Sequence, residues 1–236
     1  MVKTVTAQHP VRCHIAIGSN QGERLALCNA AVDQLAALPQ SRLGRRSTWY
    51  ETEPVLFDVG ARAKIDGIKD YGIRGKSNHF NPYPLIPTPI QPSHPEPEPL
   101  WFINGVVELY TTLMPRELID ACLRIERRFG RDRVIRSHKT LALPSPYGGK
   151  PPFSRPIDLD LLFYGDAIVN EPGLTVPHPR LHLRRFVLEP LAEIAPGLVH
   201  PLLRTTIGDL LNRLDDAHTV RRIEPATASP THRRGA

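Results

Sequence analysis

Ser154-Arg155-Pro156-Ile157-Asp158-Leu159-Asp160-Leu161-Leu162-Phe163 is the stretch on which the reading of this chain turns. An apolar run from Pro156 to Tyr164 predicts a strand. Side chains in a strand alternate between its faces, so Ile157, Leu159 and Leu161 point into a core. Asp158 and Asp160 then share the opposite face, with Cα atoms roughly 7 Å apart. Two carboxylates this close raise each other's proton affinity unless a cation neutralises them. Magnesium suits such a pair, because it takes oxygen ligands and commonly binds one or two carboxylates plus substrate phosphates. Two such ions could bridge phosphate oxygens and activate an attacking hydroxyl. On spacing alone, a solvent-facing strand with two ordinary acids fits equally well. Arg155, the apolar flanks and the segment just upstream favour the cation site.

That upstream segment is strongly basic. Arg131, Arg133, Arg136, Lys139 and Lys150 lie between Gly130 and Arg155, against the single acid Asp132. A cationic loop of this kind suits phosphate. Downstream, Thr175-Val176-Pro177-His178-Pro179 holds a histidine between two prolines. Its imidazole could hydrogen-bond a phosphate oxygen. Standing alone, it reads as a surface-turn histidine, one of 10 in the chain.

Periodicity places these motifs on a scaffold. Val11 to Ile17 reads as a buried strand stopped by Gly18-Ser19-Asn20. Cys28, Val32 and Leu35 recur at helical spacing within a helix expected over Glu23 to Leu38, ended before Pro39. Arg42 to Thr52 and Trp101 to Leu113 read as strands. Pro115 and Glu117 suit a first helical turn. Leu118, Cys122, Ile125 and Phe129 form one stripe, and Gly130 ends that helix. Phe186 to Ile194 and Thr206 to Leu214 read as short helices. The order is β-α-β, β-α-β, then helices. It predicts an α+β sandwich, with helices on one face of a mainly antiparallel sheet and long loop insertions.

Residues 56–99 break the pattern, with eight prolines within 82–99 and no sustained periodicity. They read as an insertion, irregular or polyproline II, with a functional lid as the rival reading. The 236 residues suit one domain with extra loops, and 41% hydrophobic content can supply its core. No run of 18 apolar residues predicts a membrane helix. MVKTVTAQHP does not read as a signal peptide, so a cytoplasmic location is expected. Cys13, Cys28 and Cys122 are widely spaced in apolar stretches and read as buried free thiols, not zinc ligands. The net charge of +6 admits nucleic acid, a membrane surface or a small polyanion as partner. Arg221, Arg222, Arg233 and Arg234 are expected in a solvated tail.

An ordered set of pieces resembles a known family. They are Ile15-Ala16-Ile17-Gly18-Ser19-Asn20-Gln21-Gly22, Ser47-Thr48-Trp49-Tyr50-Glu51-Thr52-Glu53-Pro54, Phe102-Ile103-Asn104, Arg124-Ile125-Glu126 with Gly130-Arg131, Ser154 through Asp160, and Leu174 to His178. In this order they resemble the motifs of the 6-hydroxymethyl-7,8-dihydropterin pyrophosphokinase family. Each piece is short, but the ordered set is specific and runs from about residue 11 to 210.

The resemblance implies a ferredoxin-like fold and transfer of the β,γ-pyrophosphoryl group of ATP to the pterin hydroxymethyl in folate biosynthesis. It implies that Asp158 and Asp160 bind two magnesium ions, and that Arg131 and Arg155 join them nearest the chemistry. Glu126, Arg131, Arg133, Arg155, Leu161, Thr175, His178 and Arg184 would surround ATP. Asn104 would hydrogen-bond the pterin ring, Thr52 and Val55 would contact it, and Phe102 and Phe186 would sandwich it. The expected domain is 11–215, with tails at 1–10 and 216–236. ATP and the pterin are the expected partners of a monomer that binds neither nucleic acid nor membrane.

Departures from the family fall in loops. The pterin-side loop is expanded over 56–99, and the loop 131–155 is also long. Some members carry proline where this chain has Glu53. Two other readings stay open on the residues: a basic module presenting a sheet face to nucleic acid, and a non-catalytic relative acting as scaffold.

Overall fold

The computed structural model describes residues 9–54, 101–130 and 155–224. Val55, Arg131, Arg133, the insertion 56–99 and the basic segment before Arg155 lie outside the described residues.

The first strand, β1, runs Val11–Ser19, and helix α1 follows at Arg24–Ala36. The strand expected over Arg42 to Thr52 is split into β2, Ser41–Arg46, and β3, Tyr50–Thr52. Both pair antiparallel with β4, Phe102–Thr111, with an irregularity between Leu43 and Arg46. A bulky residue sits in the gap between the two strands. Trp49 lies over Gly105 of β4, where a Cβ would come within 2.6 Å of the indole. Helix α2, Pro115–Arg128, opens with proline at its first position. Glu117 accepts a hydrogen bond from the Met114 N–H at 2.8 Å, satisfying a backbone donor that the helix itself cannot pair. Gly130 closes the segment in the left-handed region at φ 81°.

Strand β5, Asp158–Tyr164, lies beside β1, and with a last strand β8, Val220–Arg222, the order across the sheet is β5-β1-β4-β3-β8, all antiparallel, with β2 also on β4. The two β-α-β units thus interleave, each helix carrying the chain over one strand to the next position. This is the ferredoxin-like arrangement. A hairpin of β6, Val169–Glu171, and β7, Leu174–Val176, follows β5. A short 3-10 turn, Leu181–Leu183, leads into α3, Arg185–Ile194, and α4, Ile207–Arg213.

Two findings correct the sequence reading. First, helices cover both faces of the sheet. On one face, Cys28, Leu35, Leu118, Cys122 and Ile125 of α1 and α2 pack on Ile15, Ile17, Val107 and Leu159. On the other, Val187, Leu188, Leu191 and Leu210 of α3 and α4 pack on Val106, Leu162 and Phe163. The second face can take helices because β5 has a register shift opposite His14 and Ile15. The shift turns Leu162 and Phe163 both toward α3, so the apolar surface there exceeds what strict alternation supplies. Second, the expected tail begins with structure: β8, Val220–Arg222, pairs with β3. Arg221 and Arg222 remain exposed, but on an ordered strand held through its backbone.

Cys13, Cys28 and Cys122 are buried and free, as expected. Burial pushes each thiol up to about 12. Among the described residues, no helix is long and apolar enough to cross a membrane.

Candidate active site

The start of β5 alternates as its sequence predicts. Leu159 and Leu161 are buried in the core, whereas Asp158 and Asp160 are partly exposed, with side chains 16% and 37% accessible. Leu161, expected around ATP, has its side chain in the core. Thr175 is exposed on the β6–β7 hairpin.

The acid pair is fixed from several sides. Arg155 forms an ion pair with Asp158. The Arg155 N–H donates to Asn20 Oδ1 at 2.7 Å, and the Asn20 N–H donates to the Arg155 carbonyl at 3.2 Å. This two-way clamp joins the turn after β1 to the residue leading into β5. Glu126, near the end of α2, is buried and accepts the Leu159 N–H at 2.8 Å, between the two aspartates. The resemblance places Glu126 around ATP, and the geometry gives it a further task in aiming β5.

His178 approaches from beyond the outer edge of β5. Its N–H donates to the Leu162 carbonyl at 3.0 Å, and its Nε2 lies 4.0 Å from Asp160 Oδ2. Burial, reinforced by the charges of Arg184 and Arg180, pushes this imidazole down to about 4. The ring is therefore neutral at neutral pH. Its Nδ1 accepts the Arg180 N–H at 3.3 Å, which assigns the proton to Nε2 and makes that atom a donor beside Asp160.

A second group of side chains occupies the same face of the sheet. Asp158 pairs with Gly18, and Gly18 pairs with Asn104, so the three stand in one row across β5, β1 and β4. Two strand spacings separate Asp158 from Asn104, roughly 10 Å. Asn104 Nδ2 donates to the buried Thr52 Oγ1 at 2.7 Å, and Gly18 provides the room for the amide to lie across β1. Phe102 is half-buried in β4, opposite Thr52. Phe186, at the second position of α3, is half-buried with the Arg184 guanidinium 5.5 Å from its ring centre. An amide, a hydroxyl and two aromatic rings suit a flat heterocycle with donors and acceptors on its edge.

The donors fit magnesium's chemistry: two carboxylates on one face, partly open, with space for phosphate and water oxygens. Among the described residues, no group of three or more His, Cys, Asp or Glu side chains forms a protein cage for a metal. A site completed by substrate oxygens needs none.

The sequence reading singled out neither Asn20 nor Gly18 for the site. Both stood in a motif read as a strand and its turn, and their partners, Arg155 and Asn104, are remote in sequence.

Comparison with known proteins identifies the family. Residues 84–196 match the family model described as 7,8-dihydro-6-hydroxymethylpterin-pyrophosphokinase (HPPK). The chain is 32% identical over 209 residues to a 2-amino-4-hydroxy-6-hydroxymethyldihydropteridine pyrophosphokinase of Synechocystis sp., a match covering 87% of this chain and 79% of that one. It is 31% identical over 204 residues to a protein of the same name from Methylorubrum extorquens, covering 86% and 94%. Among solved structures, Plasmodium falciparum HPPK-DHPS with pteroate superposes with a TM-score of 0.51 at 15% identity. That match covers 90% of this chain and 43% of the Plasmodium chain, so this chain spans less than half of it and the likeness is one of fold. The relatives, the family model and the ordered motifs converge: the chain belongs to the 7,8-dihydro-6-hydroxymethylpterin-pyrophosphokinase family.

Proposed function

We propose that the family's reaction, transfer of pyrophosphate from ATP to 6-hydroxymethyl-7,8-dihydropterin in folate biosynthesis, runs on the sheet face that carries Asp158, Gly18 and Asn104. The row formed by these three residues carries the reading, because it sets a carboxylate site and a heterocycle site one substrate length apart. The enzyme is a diphosphotransferase. The pterin hydroxymethyl oxygen attacks the β-phosphorus of ATP. The bond from that phosphorus to the α,β-bridging oxygen breaks, AMP leaves with the electron pair, and the hydroxyl proton passes to water.

Such a transfer asks the protein for positioning and charge neutralisation more than for covalent chemistry. Asn104 and Thr52 orient the pterin edge, and Phe102 and Phe186 hold its faces. Arg155 and Arg184 face the phosphates, joined by Arg131 and Arg133 from the basic segment. The neutral Nε2–H of His178 donates to a phosphate oxygen. Asp158 and Asp160 hold two magnesium ions, which when bound neutralise triphosphate charge and acidify the attacking hydroxyl. Acids on the working face disfavour a nucleic-acid surface, and the enzyme is a cytoplasmic monomer in this reading.

The test is AMP release from ATP, magnesium and 6-hydroxymethyl-7,8-dihydropterin, for the wild type beside Asp158→Ala. Loss of one preorganised charge at the reacting centre typically lowers turnover by about 10²–10³. We expect a loss of at least that size with an unchanged circular dichroism spectrum. Wild-type turnover in Asp158→Ala would refute the mechanism.

A further inference from the structure

The segment after α4 ties together the two walls of the heterocycle site. Helix α3 begins without a side-chain cap from its own N-cap residue, Arg184. Its first N–H groups cannot pair within the helix and need an acceptor from elsewhere. Asp216 supplies it. Oδ2 accepts the Arg185 N–H at 3.0 Å, and the Asp216 carbonyl accepts Arg185 Nε, also at 3.0 Å. The other carboxylate oxygen accepts the His218 N–H at 2.9 Å and contacts its ring nitrogen. The Asp216 side chain is only 6% exposed. Burial alone would raise its proton affinity, but the donors from Arg185 and His218 outweigh it and hold the carboxyl below its usual range.

Three residues on, Thr219 locks onto the end of β3. The Glu53 N–H donates to the Thr219 carbonyl at 3.0 Å, and the Thr219 N–H donates to Glu53 Oε2 at 3.1 Å. The chain then enters β8, where Val220 pairs with Thr52. A proline at this position would have neither the N–H nor the carboxylate for this lock. The far end of α3 is fastened separately: Glu193 accepts from Thr48 N, Thr48 Oγ1 and Tyr50 Oη at 2.8–3.1 Å.

Helix α3 is therefore held to β3 at both ends, and the tie at its start is the one beside Phe186. We propose that Asp216 is a positioning residue for the pterin site, fixing Phe186 relative to Thr52 through the strap Asp216–Thr219. Cutting this tie leaves the Glu193 tie and the α3 core intact, so the helix stays docked while its first turn loses its stop. The heterocycle should bind more weakly, whereas the triphosphate, which meets this helix start through Arg184 alone and otherwise through residues on β5 and its flanks, should be affected much less. The proposal rests on the pterin reading of the Asn104–Phe186 face.

The experiment compares wild type, Asp216→Ala and Asp216→Asn in the AMP-release assay, alongside direct titration of the pterin by its fluorescence. For Asp216→Ala we expect at least a tenfold rise in pterin KM and Kd, a clearly smaller rise in ATP KM through Arg184, and kcat within about twofold of wild type. Asp216→Asn, which keeps an oxygen acceptor for the Arg185 N–H, should recover most of the loss. Unchanged pterin affinity in Asp216→Ala, or equal rises in both Michaelis constants, would overturn the proposal. If Asp216→Ala does not fold, Glu53→Ala carries the test from the other end of the strap. A threefold or greater rise in pterin KM alone supports the proposal, and no rise overturns it. A wild-type protein that binds pterin without releasing AMP would instead count against the proposed reaction and leave the binding comparison decisive for the strap.

Discussion

A Cβ on Gly18 would lie 2.6 Å from Asn104 Oδ1. Backbone freedom is not the issue at this position. The glycine is a gap that lets an amide from β4 lie across β1, between the acids of β5 and the hydroxyl of Thr52. Gly18→Ala should push Asn104 off its bond to Thr52. A hydrogen bond lost from a polar substrate group is worth about 1.4 kcal/mol, a factor of ten in affinity. We expect pterin KM to rise about tenfold or more, with ATP KM unchanged. Equal affinity in a pterin titration would show that Asn104 does not read the ring.

Glu126 offers a second measurement. Its carboxylate takes the Leu159 N–H between the two aspartates. Glu126→Ala strands that buried donor and should destabilise the protein by about 1–3 kcal/mol. It should also raise the magnesium concentration needed for half-maximal rate, because the strand bearing both acids loses its outer anchor. Glu126→Gln keeps an acceptor oxygen and should restore most of the stability. A Glu126→Ala protein that melts like wild type would contradict this account.

His178→Ala removes the Nε2–H donor beside Asp160. One such bond corresponds to about a tenfold rise in ATP KM. Pterin affinity, measured without nucleotide, should not move, since His178 stands by β5 and not by Asn104. His178→Asn retains an N–H donor and should fall between the two. An ATP KM equal to wild type in His178→Ala would remove this residue from the nucleotide site.

Acid sensitivity should come from the opposite end of the same face. His14 of β1 is buried against Phe163 and lies 3.8 Å from Glu108. Burial pushes its imidazole down to about 4, against an opposing pull from Glu108. The unfolded chain takes up this proton near pH 6.5, whereas the folded one resists until about 4. Over that window the unfolded state binds more protons, so stability falls as pH falls. The effect of His14 is on the order of 3 kcal/mol at pH 4. His200 is likewise pushed down to about 4, so His14→Gln should flatten the dependence of unfolding free energy on pH without abolishing it. Identical slopes for the two proteins between pH 4 and 6.5 would exclude His14 as a source.

Local signals made much of this fold readable. Pro115, Glu117, the stripe through Ile125 and Gly130 define α2 from its own residues. Alternation from Ile157 to Leu161 orients both aspartates. What sequence missed depends on contacts between distant segments. The bulge that sends Leu162 and Phe163 to one face is set by pairing with His14. Between β2 and β3, Trp49 fits over β4 only because position 105 is glycine. Val220–Arg222 has no pattern of its own and becomes a strand only because β3 leaves an edge open. The Asn20–Arg155 clamp joins residues 135 positions apart, so neither announces the other. The resemblance supplied Asn104 and Phe186 as site residues, whereas His178 already stood out between its two prolines; the spacing that sets Asn104 against Asp158 came only with the sheet.

The bonds that aim β5 also decide what can lie beside it. It is the last strand on its side of the described sheet, a place where unpaired backbone groups invite another chain to add a strand. Here the outward N–H of Leu159 is taken by a carboxylate and the carbonyl of Leu162 by the backbone of His178. Two rungs of that ladder are filled from within the molecule, so the side of the sheet that bears the acids is a poor template for self-association or fibre growth.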